Sequence, residues 1–189
     1  MNVNKKQNNT KETNLYNNIL LLSRNKIFYT KFHLIDSFQN RIHLIFILFS
    51  FIFIKGKFNN EKYNQKPFFQ SLFDLLFKRI ELNMRELGHS DTSVNKNMKS
   101  LVKDFYNILI NCKKYKLKTS DEKRIFIRKY LNLNSIDNTN VNNDLIEYFN
   151  DYQSFCLDLS LDNVLKGDFN FTNRYIYKNG RSKAKNIKI

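Results

Sequence analysis

Apolar residues recur at intervals of three and four positions over most of the chain, the spacing of one face of a helix. The first such segment covers residues 14–23. A connector follows, residues 24–32, and it contributes aromatic side chains at Phe28, Tyr29 and Phe32. We expect these rings to belong to the core rather than to an exposed groove.

The most apolar segment is residues 42–54, for which a core helix, a strand and a membrane-inserted segment are all open interpretations. As a helix it spans about 20 Å, short of the roughly 30 Å hydrocarbon thickness, and Arg41 and Lys55 bound it. Asp36 or Ser37 could cap such a helix, and near-complete apolarity is typical of the middle of a bundle. A core helix is therefore favoured. Its polar positions fall near one line: Asn40, His43 and Ser50.

Two long helices joined by a tight turn are predicted after a polar linker, residues 56–66. Pro67 suits the first turn of the first helix, Gly88 can take the left-handed conformation at its end, and the second helix begins near residues 91–93. The apolar face of the first helix is Phe69, Leu72, Phe73, Leu76, Ile80 and Leu87. That of the second is Met98, Leu101, Val102, Phe105, Leu109 and Cys112, with Lys96, Lys99 and Lys103 opposite.

The last third of the chain predicts two further helices. Thr119 and Glu122 have the spacing of a capping box, which opens a helix through Leu131. The residues available for its packing are Ile125, Ile127, Tyr130 and Leu131. After an Asn-rich loop, residues 144–159 form another amphipathic helix, and residues 161–165 prolong it by a further turn.

These elements predict an all-α fold, a single irregular bundle of about six helices over residues 14–171. Residues 1–13 are polar and Asn-rich without apolar periodicity, so we expect a disordered N-terminus that carries neither a signal nor a transit peptide. Residues 172–189 contain several Lys and Arg and no acidic side chain, which predicts a disordered basic tail.

The composition favours a helical fold and bears on which classes of function are open to the chain. With 4 Gly and 1 Pro in 189 residues, the chain has too few turn-formers for a many-stranded barrel and too few glycines for a phosphate loop. Its 32 Lys and Arg exceed its 17 Asp and Glu, giving a formal net charge of +15. Lys and Asn are both abundant, as codon bias towards A and T would produce, so the total charge is weak evidence for a nucleic-acid partner.

Neither the cysteines nor the histidines form a recognisable chemical motif. Cys112 and Cys156 have no second Cys or His at ligand spacing, which excludes a local zinc site or a CxxC pair. His33, His43 and His89 lack an HExxH pattern or a neighbouring nucleophile motif. We therefore expect a binding protein rather than an enzyme, with no metal or cofactor.

An ordered set of residues crosses the two helices joined at Gly88. It consists of Leu72, Phe73, Asp74, Phe77, Arg85, Glu86, Gly88, Asp91, Val94, Lys96, Lys99, Phe105 and Tyr106. This set resembles the ubiquinol-cytochrome c chaperone family, whose pattern there reads LFD..F......RE.G..D..V.K..K......FY. A weaker upstream set resembles the family's lead into its hydrophobic helix: Leu15, Tyr16, Arg24, Phe28, Tyr29, Asp36 and Arg41.

The chain departs from the family pattern at a few positions. Asn40 replaces a Gly, Leu48 replaces a common His, and Asn107 with Ile108 replaces Gly-Arg. The resemblance implies an all-helical, non-enzymatic assembly factor for respiratory complex III that helps newly made cytochrome b to mature. It also implies its partners: cytochrome b or another complex III subunit, and a small helical partner protein. The expected location is the cytoplasmic face of the inner membrane, as in the bacterial branch, or the matrix side in a eukaryote.

The candidate client- or partner-binding residues are Asp74, Arg85, Glu86, Asp91, Lys96, Lys99 and Tyr106. Two interpretations are open for the charged residues near the turn, and both can hold together. They brace the turn through helix-end charge and local ion pairs, or they form a client surface. The lysine row is either a solvated face or a contact for an acidic or phosphate-bearing partner.

Two other functions are open from the sequence alone. A basic helical protein that binds RNA or the ribosome would use residues 96–118 and the tail, and the tail could also contact anionic lipid. A short membrane-inserting protein would be built on residues 42–54.

Overall fold

A computed structural model describes residues 10–58, 65–134 and 139–171 of the chain. Eight α-helices form over these residues: α1 (Lys11–Ser23), α2 (Ile27–Thr30), α3 (Phe38–Phe58), α4 (Lys66–Glu86), α5 (Asp91–Lys113), α6 (Ser120–Tyr130), α7 (Thr139–Asp158) and α8 (Leu161–Lys166). A 3-10 turn, Tyr115–Leu117, joins α5 to α6. Within the described residues the only extended pairing is an isolated antiparallel bridge between Leu34 and Leu133. The predicted all-α fold is confirmed, and six of the helices are at least 11 residues long.

The central element is α3, which is apolar around nearly its whole circumference. Its fully buried side chains include Leu44, Phe46, Ile47, Leu48, Phe49 and Ile52. It packs most extensively on α5 and also contacts α1, α4, α7 and α8. By length and hydropathy Phe38–Gly56 could cross a membrane, but the surrounding helices bury most of it. The strand interpretation is wrong, and the burial gives the apolarity a structural reason without a membrane.

Of the two predicted caps for α3, Ser37 is the one used. Its Oγ accepts a hydrogen bond from the backbone N–H of Asn40 at 3.3 Å. Asp36 instead accepts two hydrogen bonds from Arg41, at 2.6 and 2.7 Å. This pairing lowers the pKa of the Asp36 carboxyl below its ordinary value.

Asn40 ties the start of α3 to the segment that follows α6. Its side chain is fully buried, and its Nδ2 donates to the carbonyls of Ile35 and Asn132, both at 2.8 Å. Its Oδ1 accepts from the backbone N–H of Asn132 at 2.9 Å. The buried amide of Asn40 therefore bonds backbone groups on both sides of the contact between the start of α3 and the segment after α6.

The other polar positions of α3 are also satisfied inside the core. The Nδ1 of His43 donates to the carbonyl of Tyr130 at 2.7 Å, since a carbonyl can only accept. Ser50 donates back to the carbonyl of Phe46 at 2.7 Å. The predicted polar line on α3 thus serves helix packing.

The aromatic connector belongs to the core, as predicted. The ring centroids of Phe28 and Phe32 lie 5.0 and 5.7 Å from that of Tyr148 in α7. Tyr29, in contrast, is only partly buried. The neighbouring Tyr152 donates its hydroxyl to the carbonyl of Leu48 at 3.1 Å, which fixes α7 against α3.

Several predicted boundaries are displaced. Thr10 caps α1, which begins before residue 14, so residues 11–13 are helical rather than disordered. Gly56, assigned to a linker, lies within α3, and glycine is needed there because a Cβ would clash with the ring of Phe69. Residues 139–143, assigned to a loop, are helical in α7. Residues 1–9 and the predicted basic tail, 172–189, lie outside the described residues.

The predicted capping box is present, but two side chains assigned to apolar faces are not buried. Thr119 Oγ1 accepts from the N–H of Glu122, whose carboxylate accepts from the N–H of Thr119. Ile125 is 66% exposed, since Phe126, Ile127 and Tyr130 supply the buried face of α6. Leu87 is 64% exposed because it is the C-cap residue, beyond the last packed turn of α4.

We expect Asn40→Ala to lower the free energy of unfolding by about 2–3 kcal/mol, because it removes three side-chain hydrogen bonds and leaves the backbone N–H of Asn132 without its acceptor. Urea denaturation followed by circular dichroism measures this. The control is Asn95→Ala on the exposed side of α5, expected within about 0.5 kcal/mol of wild type. Equal losses in the two variants would contradict the role of Asn40.

Candidate functional site

The two helices α4 and α5 form an antiparallel hairpin that closes at Gly88. Gly88 has a φ of +84°, and its N–H donates to the carbonyl of Arg85 at 3.0 Å. The N–H of His89 donates to the carbonyl of Met84 at 3.1 Å, completing the paired hydrogen bonds of a Schellman motif. Ser90 then caps α5 by accepting from the N–H of Ser93 at 3.3 Å. The predicted tight turn is confirmed.

An aromatic cluster around Phe105 fixes this hairpin on the central helix. The ring of Phe105 lies 5.3 and 5.6 Å from those of Phe46 and Phe53 in α3. It lies 5.5 and 5.7 Å from those of Phe73 and Phe77 in α4, mostly edge to face. Because one ring touches both α3 and α4, the position of the hairpin on α3 depends strongly on Phe105.

The ordered set of residues in the hairpin therefore has two parts with different roles. Leu72, Phe77, Val94 and Phe105 are buried and hold the helices together. The exposed part consists of Asp74, Arg85, Glu86, Asp91, Lys96, Lys99 and Tyr106, which are the predicted binding residues. Packing accounts for the first part only.

The structure brings Arg85 and Asp91 together at the turn. Arg85 donates from Nη1 to Asp91, and from Nε and Nη2 to Glu81 at 3.0 and 2.9 Å. The hydrogen bonds to these two carboxylates raise the pKa of the Arg85 guanidinium, and the bond to Asp91 has the larger effect. Asp91 also lies in the first turn of α5, where negative charge is favourable. The bracing interpretation accounts for these two residues.

The remaining candidates are spread over different faces of the hairpin. Asp74 is exposed on α4 and accepts from Gln70 Nε2 at 2.9 Å. Glu86 lies on the other side of α4, where it lines a cleft described below. Lys96, Lys99 and Tyr106 share the solvent face of α5.

Those last residues belong to a longer exposed stripe on α5, formed by Lys96, Lys99, Lys103, Tyr106 and Ile110 and here called the α5 stripe. Tyr106 and Ile110 are 51% and 59% exposed, and the lysines form no ion pair with any residue that the structure describes. The stripe is basic towards the turn and apolar beyond it. Sequence reasoning missed Ile110, although its regular spacing from Lys103 and Tyr106 places it on this face.

A cleft of about 490 Å³ opens on the opposite side of α4, between α1, α2 and the start of α3. Its apolar floor consists of Leu20, Phe38, Ile42, Ile45, Leu76 and Ile80. Its polar lining includes Tyr16, Arg24, Tyr29, Arg41 and Arg79. Four of these five belong to the weaker upstream set, but their spacing does not reveal that they converge with Arg79 of α4.

The described residues contain no cluster of His, Cys, Asp and Glu that could hold a metal ion. Cys112 and Cys156 are fully buried, and burial raises the pKa of both thiols well above the ordinary value. A protonated, inaccessible thiol is a poor nucleophile. What the surfaces of this part of the chain offer is binding, through the α5 stripe and the cleft.

Comparisons with known proteins agree with this architecture. The profile of a family described as ubiquinol-cytochrome C chaperone matches residues 30–171, most of the chain and the whole hairpin. The crystal structure of the Cbp3 homolog from Brucella abortus is similar in fold, with a TM-score of 0.72 and 20% sequence identity. The similarity covers 86% of this chain and 89% of that chain. No curated protein matches the sequence.

We expect Gly88→Ala to lower the free energy of unfolding by about 1 kcal/mol, since a Cβ is strained at positive φ although nothing lies within 4 Å of it. Gly88→Asn is the matched variant, because Asn adopts the left-handed conformation more readily. Thermal and urea denaturation of both variants measure the difference. A loss as large for Asn as for Ala would contradict the role assigned to the left-handed conformation at this position.

Proposed function

The chain belongs to the ubiquinol-cytochrome c chaperone family, and from this we propose that it binds newly made cytochrome b during the assembly of respiratory complex III. The family role is that of a ubiquinol-cytochrome c chaperone, which acts by binding and not by catalysis. The binding surface in this proposal is the exposed face of the α4–α5 hairpin, residues 74–106, extended along α5 to Ile110.

The single observation that carries this proposal is the division of the ordered set into buried and exposed residues. Fold stability accounts for the buried residues, and ion pairs at the turn account for Arg85 and Asp91. Neither fold stability nor these ion pairs account for Lys96, Lys99 and Tyr106, which face solvent on one side of α5. Exposed residues in a family pattern without a packing role are best explained by a partner.

The α5 stripe has the chemistry that an unassembled membrane protein would need. Tyr106 and Ile110 offer apolar area, and the ring of Tyr106 is supported from below by Phe73 at 6.1 Å between centroids. The lysines beside them can contact acidic loops or terminal carboxylates of the client. Aromatic side chains held on a rigid helix lose little conformational entropy on binding, which favours them as anchors.

The proposal also covers the location of the protein, a partner protein and the basic tail. We infer that the protein works at the cytoplasmic face of the inner membrane, or on the matrix side in a eukaryote, where cytochrome b is inserted. A small helical partner protein would share the client with this chain. The basic tail, residues 172–189, would add attraction to anionic lipid or to the ribosome.

Deletion of the gene should lower the amount of assembled complex III and leave other respiratory complexes intact, as measured by native gel electrophoresis. Wild-type protein should restore assembly, and Ile110→Asp should restore it poorly, because it places a charge in the apolar part of the α5 stripe. Ile125→Asp is the matched control, the same change at a similarly exposed position on α6. Unchanged complex III after deletion would overturn the family role for this chain. Equal rescue by both variants would exclude the α5 stripe as the client-binding surface.

A photo-crosslinker in place of Lys99 should capture cytochrome b in cells, whereas one in place of Lys129 on α6 should not. Mass spectrometry of the crosslinked product identifies the partner. Capture of another complex III subunit would support the assembly role and reject cytochrome b. Capture of RNA would favour the alternative function, whose signature is an affinity that falls linearly with salt on logarithmic axes.

A further inference from the structure

The cleft on the far side of α4 combines cationic groups with an apolar floor. Arg24 is the C-cap residue of α1, Arg41 comes from α3 and Arg79 from α4, and all of them line the same opening. Below them lie aliphatic side chains that are otherwise buried, among them Leu76 and Ile80. A site of this kind suits a molecule that carries an anion next to a hydrocarbon chain.

The arginines are gathered around two phenols. Burial raises the pKa of Tyr16, and the nearby positive charges of Arg79 and Arg24 act in the opposite direction. Burial and the negative charge of Asp36 raise the pKa of Tyr29. The positive charges of Arg41 and Arg24, together with a hydrogen bond from Arg41, act in the opposite direction. Both phenols line the same cleft as these guanidinium groups, and phenolic hydroxyls can donate to the same anion.

The charge in the cleft is only partly compensated. Arg41 is paired with Asp36, and Glu86 lines the rim that α4 forms. Arg24 and Arg79 form no ion pair with any residue in the described ranges. Guanidinium groups bind phosphate and carboxylate through paired N–H donors, so an oxyanion is the complementary ligand.

The size of the cleft favours a small amphiphile over a protein surface. Its volume of about 490 Å³ falls within the roughly 300–1,000 Å³ of small-molecule sites. A stable protein partner would need a much broader contact, of about 800 Å² on each side. Leu87 lines the cleft and is largely exposed, so an apolar side chain stands beside the cationic ones at the opening. Apolar side chains beside cationic ones are typical of surfaces that dip into a lipid headgroup layer.

We propose that this cleft binds one anionic phospholipid, with its phosphate held by Arg24, Arg41 and Arg79 and an acyl chain on the apolar floor. Binding would hold α1 and α4 against the membrane surface. The inference does not depend on the client surface, because the α5 stripe and the cleft lie on different helices and different sides of the hairpin.

Calorimetry with the full chain tests the proposal, using short-chain phosphatidylglycerol below its micelle concentration. We expect Arg79→Gln to weaken binding by at least about tenfold, the loss expected when a charged hydrogen-bond donor is removed. Arg128→Gln, an exposed arginine on α6, should leave it unchanged and serves as the matched control. Circular dichroism verifies folding, and Arg24→Gln, at the exposed C-cap of α1, replaces Arg79→Gln if that variant fails to fold.

The other ligands separate the alternatives. Glycerol 3-phosphate and inorganic phosphate should bind much more weakly, because they lack the acyl chain; equal affinity would identify a small-anion site and overturn the lipid proposal. Displacement of the lipid by a Glu-rich helical peptide of comparable affinity would favour a protein ligand instead. Equal weakening by Arg79→Gln and Arg128→Gln, or no lipid binding by the wild type, would also overturn it.

Discussion

The burial of α3 is the constraint from which the rest of the architecture follows. A helix that is apolar on every side must be covered on every side, and here α1, α4, α5, α7 and α8 do this. Its few polar side chains cannot reach water, so they are used between helices. Asn40 bonds to Asn132, and His43 bonds to the carbonyl of Tyr130. These bonds specify the position of α6 more sharply than apolar contact alone could.

Covering α3 also determines where the two binding surfaces lie. The hairpin is held against α3 through Phe105, and this turns the other side of α5 towards solvent. The aliphatic side of α4 meets α1 and the start of α3, and the incomplete contact there leaves the cleft. Both surfaces are thus consequences of the same packing of helices around α3.

The sequence was informative wherever a local rule operates. Helical spacing, the Thr119 capping box and Gly88 at the turn each depend on residues within a few positions, and each is present as predicted. Local rules failed where tertiary contact decides. Gly56 was assigned to a linker because the feature that requires glycine there, the ring of Phe69, belongs to another helix. Leu87 and Ile125 fit an apolar pattern but lie where no neighbour covers them.

The candidate site shows the same limit more strongly. Residues grouped in sequence, such as Arg85 and Glu86, face different sides of α4, whereas Arg24 and Arg79 line the same cleft although 55 positions separate them. Arg85 lies nine positions after Leu76, which at about 100° per residue places it on the opposite side of the helix. A protein whose cleft rested on a lipid surface would therefore direct Arg85 and the outer face of the hairpin away from that surface. The same helix can then serve the membrane on one side and remain open to a protein client on the other.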